Sequence, residues 1–140
     1  MARALEVGIT RTRGGQRVAD QPWFRERFAD LQSRLMALEA HAARFVERQA
    51  AGEKIGAEVS MLKLRGSPLI QQWEELIVDA LGPEAMPLAE DWLRGEPGAP
   101  EQDPLAGTAS SRRFLARGYT IAGGSSEIQH HILAKQVLGL

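Results

Sequence analysis

The 140-residue sequence predicts an all-α fold, an antiparallel helical bundle that forms a single domain over residues 1–140. Two long stripes of apolar residues recur at alternating spacings of three and four, the period of one helix face. No segment shows the two-residue alternation of a half-buried strand. A chain of this length buries about two thirds of its surface on folding, enough for one core.

The first elements follow from the N-terminal third of the chain. Residues 2–13 have the pattern of the end of a helix. A helix of about 25 residues comes next, because one apolar stripe runs along it: Phe24, Phe28, Leu31, Leu35, Leu38, Ala42 and Phe45. Asp20 is expected to cap its start and Pro22 to lie in its first turn, whereas Gly52 ends it.

A second stripe predicts the next helix, through Leu62, Gly66, Leu69, Trp73, Leu76 and Ala80. Gly66 on the apolar face suggests close approach of a neighbouring helix. Pro68 should kink or divide the helix, and Gly82-Pro83 should stop it.

The remaining elements surround an irregular segment. Residues 83–107 are acidic and carry five Pro and three Gly, which predicts a surface connection with at most a short helix at 89–93, where Trp92 would pack back on the bundle. A third helix is expected at 110–119 and a last one at 127–138. Ser126 and Gln129 match a capping box at the start of that last helix.

Composition excludes several function classes. The chain has no Cys, so a disulfide scaffold, a thiolate nucleophile and a Cys-ligated zinc site are excluded. With a net charge of -1, the chain has no overall positive electrostatic field that would attract nucleic acid. No apolar run reaches the roughly 20 residues of a membrane span. The N-terminus lacks the basic region followed by an apolar region that marks a signal peptide. We expect a cytoplasmic protein with no nucleic-acid or membrane partner and no metal site.

Two segments could bind an anion. In Gly123–Gln129, two glycines and two serines precede a helix start, whose free N–H groups and dipole favour a phosphate or pyrophosphate. The alternative is an ordinary loop and helix cap. In Arg11–Gly15, an arginine beside two glycines could clamp a phosphate. The alternative there is a solvated helix end.

Three stretches of the sequence resemble one enzyme family. Residues 117–140, RGYTIAGGSSEIQHHILAKQVLGL, resemble the end of an acyl-CoA dehydrogenase. Residues 11–20, RTRGGQRVAD, are similar to the family's Arg-x-x-Phe-Gly-x-Pro-Ile/Leu-x-Asp segment. SMLKLRGS at 60–67 and ALGP at 80–83 resemble one bacterial branch. The similarity covers nearly the whole chain in order.

The resemblance implies the C-terminal helical bundle of an enzyme that also has an N-terminal helical domain and a middle β-domain. Such enzymes use FAD to oxidise acyl-CoA thioesters to α,β-enoyl products and pass electrons to an electron-transfer flavoprotein. The resemblance implies FAD contacts at Arg11, Asp79, Gly82, Ser125 and Glu127 and a substrate contact at Gly124. The first three would reach FAD across a subunit interface.

The chain departs from the family pattern where the chemistry would lie. Gly123 stands where many members have their catalytic Glu, and the other branch places the base on an earlier helix, before Met1. Gly14 replaces the family's Phe, and Gln21-Pro22 shifts the usual FAD-contacting Gln by one residue. The chain is therefore expected to have no catalytic residue of its own, and FAD need not bind it without the other domains.

Two functions remain open. The first is the FAD-contacting, oligomerising domain of an acyl-CoA dehydrogenase, inactive alone and assembled as a homodimer, a homotetramer or with a partner acyl-CoA dehydrogenase subunit. The alternative is a stand-alone, non-catalytic helical module that pairs with another polypeptide of that family.

Overall fold

The chain folds into seven α-helices and one short β-hairpin, and the computed structural model describes all of residues 1–140. The helices are α1 (Ala2–Thr10), α2 (Pro22–Ala50), α3 (Ser60–Leu81), α4 (Glu90–Arg94), α5 (Pro104–Gly107), α6 (Ala109–Gly118) and α7 (Ser126–Gln136). Three single turns of 3-10 helix lie at Val18–Asp20, Ala57–Val59 and Gly82–Ala85. The predicted all-α class is therefore confirmed. None of the helices combines the length and apolar character that a bilayer crossing requires.

A hairpin links α1 to α2, and the prediction that the chain has no strand is wrong at this point. β1 (Thr12–Arg13) pairs antiparallel with β2 (Gln16–Arg17). Gly14 and Gly15 between them have φ angles of +60° and +78°, and two successive positive φ angles form the tight turn that suits paired strands. Strands of two residues are too short to show an alternating pattern.

The core is built around α3, which packs against α1, α2, α6 and α7. Seven of the fifteen residues in the buried cluster belong to α3. Trp73 meets Phe28 edge to face with ring centroids 5.2 Å apart, and Phe28 stacks on Phe24 at 5.8 Å. These are favourable aromatic geometries, so the predicted stripe of α2 supplies the core at its N-terminal end.

Helix α3 runs without interruption from Ser60 to Leu81, and Pro68 does not divide it. Gly66 faces α2, where an added β-carbon would stand 3.5 Å from Leu38 Cδ2. This is an ordinary van der Waals contact, so the approach of α2 does not require a glycine there. At Gly82, φ is +63° and the helix ends, as predicted.

The residue at the N-cap of α2 is not the one predicted. Gln21 occupies the N-cap position of α2, and Asp20 does not cap it. The Asp20 carboxylate instead accepts a hydrogen bond from Arg17 Nε at 2.9 Å. Asp20 belongs to the 3-10 turn before α2, which places its side chain one residue too early to reach the first helical amides.

Residues 83–107 contain more structure than a plain connection. They hold part of one 3-10 turn, α4 and α5, and the Asp103 side chain caps α5 by accepting the N–H of Leu105 at 3.0 Å. Trp92 packs against Gly107, where an added β-carbon would lie 3.0 Å from the indole ring. The expected short helix is present, whereas Trp92 packs on Gly107 within the segment itself.

Burial is uneven along the two long helices. Only Phe24 and Leu31 are buried among the 29 residues of α2, and both lie in its first third. The whole chain exposes 9072 Å², whereas a monomeric protein of this mass exposes about 7,200 Å². The end of α2 and the start of α3 therefore form a helical pair with much apolar surface left uncovered.

Candidate functional site

The turn between α6 and α7 carries the first group of predicted site residues. Gly123 and Gly124 have φ angles of +70° and +96°, a region that residues with a side chain rarely adopt. A β-carbon at Gly124 would also lie 2.9 Å from Gln129 Nε2. The backbone of this turn therefore stays bare, and a ligand can approach it closely.

The cap of α7 is Ser125, not Ser126 as the capping-box pattern predicted. Ser125 has an extended backbone (φ -66°, ψ 163°), and its Oγ accepts the N–H of Ile128 at 3.4 Å. Gln129, which is buried, donates from Nε2 to the carbonyl of Gly123 at 3.1 Å. The turn is thus fastened from its own helix, one residue earlier than the sequence pattern indicated.

Glu127 lies in the first turn of α7 as an exposed carboxylate. A hydrogen bond from the Ser125 hydroxyl holds the pKa of Glu127 below its ordinary value, and its own backbone N–H and the charges of His130 and Lys63 act in the same direction. At neutral pH this carboxylate is ionised and can accept hydrogen bonds from hydroxyl groups. The N–H of Ser126, at the first helical position, has no intrahelical acceptor and can donate.

Three polar side chains of α3 hold the other side of the turn, and sequence reasoning missed them. They donate to carbonyls at the end of α6 and just beyond it: Lys63 to Thr120 at 3.3 Å, Ser67 to Tyr119 at 3.0 Å and Gln71 to Ala116 at 3.2 Å. The carbonyls of Tyr119 and Thr120 lie beyond α6, and that of Ala116 also accepts the N–H of Tyr119 at 3.2 Å. The signal was a polar residue at every fourth position, which places all three on one face of α3.

Arg11, the second predicted anion ligand, lies just after α1 and is already paired. Its guanidinium forms ion pairs with Asp103 and with Glu84, whose Oε2 lies 3.5 Å from Arg11 Nε. Both carboxylates belong to the acidic segment 83–107. An incoming phosphate would therefore compete with these two carboxylates for Arg11.

Asp79 and Gly82 lie beside the hairpin, at the C-terminal end of α3. The Asp79 carboxylate accepts from Arg27 Nη1 at 2.5 Å, and its backbone carbonyl accepts from Arg13 Nη2 at 2.8 Å. A β-carbon at Gly82 would stand 2.8 Å from the same Arg13 nitrogen. Glycine at 82 thus lets Arg13 lie across the helix end, where its guanidinium carbon is 5.7 Å from the ring centroid of Trp23.

The side chain of Gln21 links the hairpin to the first turn of α2. Its Nε2 donates to the carbonyl of Arg13 at 2.8 Å, and its Oε1 accepts from Trp23 Nε1 at 2.6 Å. This network links Trp23 to the backbone of Arg13, the residue directly before Gly14.

The predicted site residues therefore form two clusters. The turn cluster comprises Gly123, Gly124, Ser125 and Glu127, and the hairpin cluster comprises Arg11, Asp79 and Gly82. Lys63 donates to Thr120 just before the turn cluster and its charge acts on Glu127, whereas Asp79 belongs to the hairpin cluster. Sixteen residues of α3 separate Lys63 from Asp79, which corresponds to about 24 Å along the helix. A single chain does not bring the two clusters together.

Other features of the surface lie apart from these clusters. The end of α2 and the start of α3 enclose an apolar groove of about 420 Å³ that none of the predicted site residues lines. No three His, Asp or Glu side chains converge where they could hold a metal ion.

A comparison with known protein families identifies the family of this chain. The family model described as the C-terminal domain of acyl-CoA dehydrogenase matches residues 1–138. The chain belongs to this family. No curated protein matches the sequence.

A solved structure shares the fold of this acyl-CoA dehydrogenase C-terminal domain. It is the ChsE4-ChsE5 complex from Mycobacterium tuberculosis, in which one chain aligns with a TM-score of 0.74 and 24% sequence identity. The alignment covers 99% of this chain and 34% of that chain. The present chain thus spans about a third of the length of the solved chain.

Proposed function

We propose that the chain supplies the FAD-contacting and subunit-pairing part of an acyl-CoA dehydrogenase and is inactive by itself. The observation that carries the proposal is the separation of the turn cluster from the hairpin cluster along α3. Both clusters offer groups suited to a dinucleotide. The turn offers the bare backbone at Gly124, the Ser125 hydroxyl and a free helix-start N–H, and the hairpin offers the guanidinium of Arg11.

Two copies related by a two-fold axis would unite the clusters. In such a pair, each copy presents the same surface to the other. If the axis passes outside the chain, perpendicular to α3 and level with its middle, the α3 helices run antiparallel and the end of one lies level with the start of the other. The hairpin cluster of each copy then lies at the level of the turn cluster of its partner, so that the pair holds two equivalent sites.

The chain contributes binding rather than proton transfer. A general base works best with a pKa near the operating pH, whereas Glu127 has a lowered pKa and Gly123 has no side chain. FAD, when bound, would accept the hydride from the β carbon of an acyl-CoA thioester. The base that removes the α proton, and most of the acyl-CoA site, would come from residues outside this chain.

A titration with FAD tests the proposal. We expect saturable binding, followed by flavin fluorescence, that Arg11→Ala and Ser125→Ala each weaken about tenfold or more, because hydrogen bonds to charged groups contribute about 1.5–3 kcal/mol. Arg25→Ala is the matched control, since Arg25 is exposed and belongs to neither cluster. FAD binding that neither Arg11→Ala nor Ser125→Ala changes would refute the proposal.

A second function is favoured by the ion pairs of Arg11. Because Asp103 and Glu84 already neutralise this guanidinium, the chain could keep its fold and pair with another acyl-CoA dehydrogenase polypeptide without holding FAD. Absence of FAD binding at high micromolar concentration, together with a stable complex with such a polypeptide, would establish this non-catalytic role.

A further inference from the structure

The groove between α2 and α3 combines an apolar floor with a cationic rim. Leu38, Phe45 and Leu62 are among the six hydrophobic residues that line it, and Arg34, His41 and Arg65 complete the lining. No Asp or Glu lines the groove. Arg65 takes part in none of the ion pairs of the structure. An occupant that offers both apolar side chains and carboxylates would match this surface.

The chain carries a segment with the complementary chemistry. Residues 83–107 contain six carboxylates and one arginine, whereas the rest of the chain has sixteen Lys and Arg against twelve Asp and Glu. Glu84 and Asp103 pair with Arg11, and Glu90 pairs with Arg94. The other three carboxylates, Asp91, Glu96 and Glu101, have no ion-pair partner. Exposed apolar side chains lie on the same segment: Met86, Leu88 and Leu93.

The segment does not cover the groove of its own chain. None of residues 83–107 lines the groove. Arg65 lies near the start of α3, and the segment begins only after Leu81 at its end. These sixteen residues span about 24 Å of helix. A second copy with its α3 antiparallel would bring its own segment to the level of this groove.

We propose that the groove of one copy receives the 83–107 segment of a second copy, reciprocally, in a two-fold homodimer. The inference rests on the subunit pairing proposed above and names the surfaces that form it. The chain exposes 9072 Å², about 1,900 Å² more than a monomer of this mass. One partner of a standard interface contributes about 800 Å², so the uncovered surface is ample for such a contact.

Two complementary charge reversals test the contact. In the groove variant, His41→Glu and Arg65→Glu make the rim acidic. In the segment variant, Asp91→Lys, Glu96→Lys and Glu101→Lys make the segment basic. Each variant paired with itself sets like charges against each other at both contacts, whereas the two variants mixed set opposite charges at both. Like-charge contacts cost several kcal/mol, so we expect each homodimer to weaken at least about tenfold and the mixture to form heterodimers.

Sedimentation equilibrium and native mass spectrometry measure these species, and far-UV circular dichroism checks that each variant is folded. Arg25→Glu with Gln32→Glu is the matched control, because it makes the same charge change on the exposed first half of α2. Homodimers that persist in both reversed variants, or folded variants that fail to combine when mixed, would overturn the proposal. A wild-type chain that stays monomeric at high micromolar concentration would overturn it too.

The outcome is separable from that of the FAD titration. Charge reversals that disrupt the dimer while FAD binding is unchanged would support this contact and refute a shared FAD site. Loss of both together would support the contact and its role in completing the site.

Discussion

The two halves of α3 serve different purposes. Seven of the eleven residues in its second half (71–81) are buried, among them Trp73, Leu76 and Ile77. Its first half buries only Ser60, Ser67 and Leu69, supports the turn cluster with polar side chains and borders an open groove. One helix therefore supplies much of the core with its second half and borders an open groove with its first half.

Truncation of one leucine in each half should separate these roles most strongly. Leu76 is fully buried, so Leu76→Ala should lower the free energy of unfolding by about 3–5 kcal/mol through lost burial and a cavity. Leu62 is half-buried in the groove wall, and Leu62→Ala should cost about 1 kcal/mol or less. Urea unfolding of dilute protein measures both. Equal losses would contradict the difference between the halves.

A buried carboxylate contributes the next largest effect. Glu74 is buried and pairs with Arg3 at 3.4 Å and Arg112 at 3.2 Å, which ties α1 and α6 to α3. Burial, and then the charge of Arg112, lowers the pKa of Arg3, while Glu74 opposes the shift. Glu74→Ala would leave both guanidinium groups without this partner, and we expect about 1–3 kcal/mol lower stability in urea unfolding.

Glu75 provides the matched control for Glu74. It is the next residue along α3, and its partner Arg117 is exposed. Glu75→Ala should cost less than about 1 kcal/mol, the usual value of an exposed pair. A larger loss from Glu75→Ala than from Glu74→Ala would show that the α1–α3–α6 ion pairs do not stabilise the core end.

Neutralising one ion-pair partner of Arg11 should have a smaller effect, and it should strengthen FAD binding. Asp103→Asn removes one of the two carboxylates that compete with an FAD phosphate for Arg11, so FAD affinity should rise about two- to fivefold, the free energy of a partly exposed ion pair. Asn also caps helices well, so stability should hardly change. Glu6→Gln is the control, because Glu6 is exposed, has no ion-pair partner and lies outside the proposed contact. Weaker FAD binding by Asp103→Asn would mean that Asp103 orients Arg11 rather than competing for it.

The smallest expected effect is a shift in the pKa of Glu127, in the turn cluster. The lowered pKa of Glu127 depends first on the hydrogen bond from Ser125, so Ser125→Ala should move the carboxyl pKa up towards its ordinary value. A pKa below the unfolded value adds stability that is present above the ordinary Glu pKa and is lost as the pH falls through the folded pKa. Carboxyl NMR titration measures the shift. An unchanged pKa would show that the Ser125 hydroxyl does not reach Glu127.

Local patterns in the sequence predicted the helices well. The stripes of α2 and α3 predicted both helices to within a few residues, because apolar residues three and four positions apart indicate one helix face. The start of α7 differed by one residue, since Ser125 and Ser126 are equally good caps and the choice depends on the backbone of the glycine turn. The hairpin was too short to leave a pattern.

Long-range contacts could not be predicted from the sequence. Asp103 reaches Arg11 across more than ninety residues, and Lys63 reaches Thr120 across 57. Neither contact has a local signature, because each depends on how α1, α3 and α6 pack. The residues of the candidate site were therefore identified individually, but their division into two clusters emerged only from the fold.

The most direct test of the divided site mixes two damaged chains. Arg11→Ala removes the guanidinium of the hairpin cluster, and Ser125→Ala removes the hydroxyl of the turn cluster. Each variant alone should therefore bind FAD weakly. In a heterodimer, one of the two sites combines the intact Arg11 of one copy with the intact Ser125 of the other. After random exchange of subunits, about a quarter of all sites should bind FAD with wild-type affinity. A mixture that shows only the weak binding of its two components would mean that the clusters do not form one site across two chains.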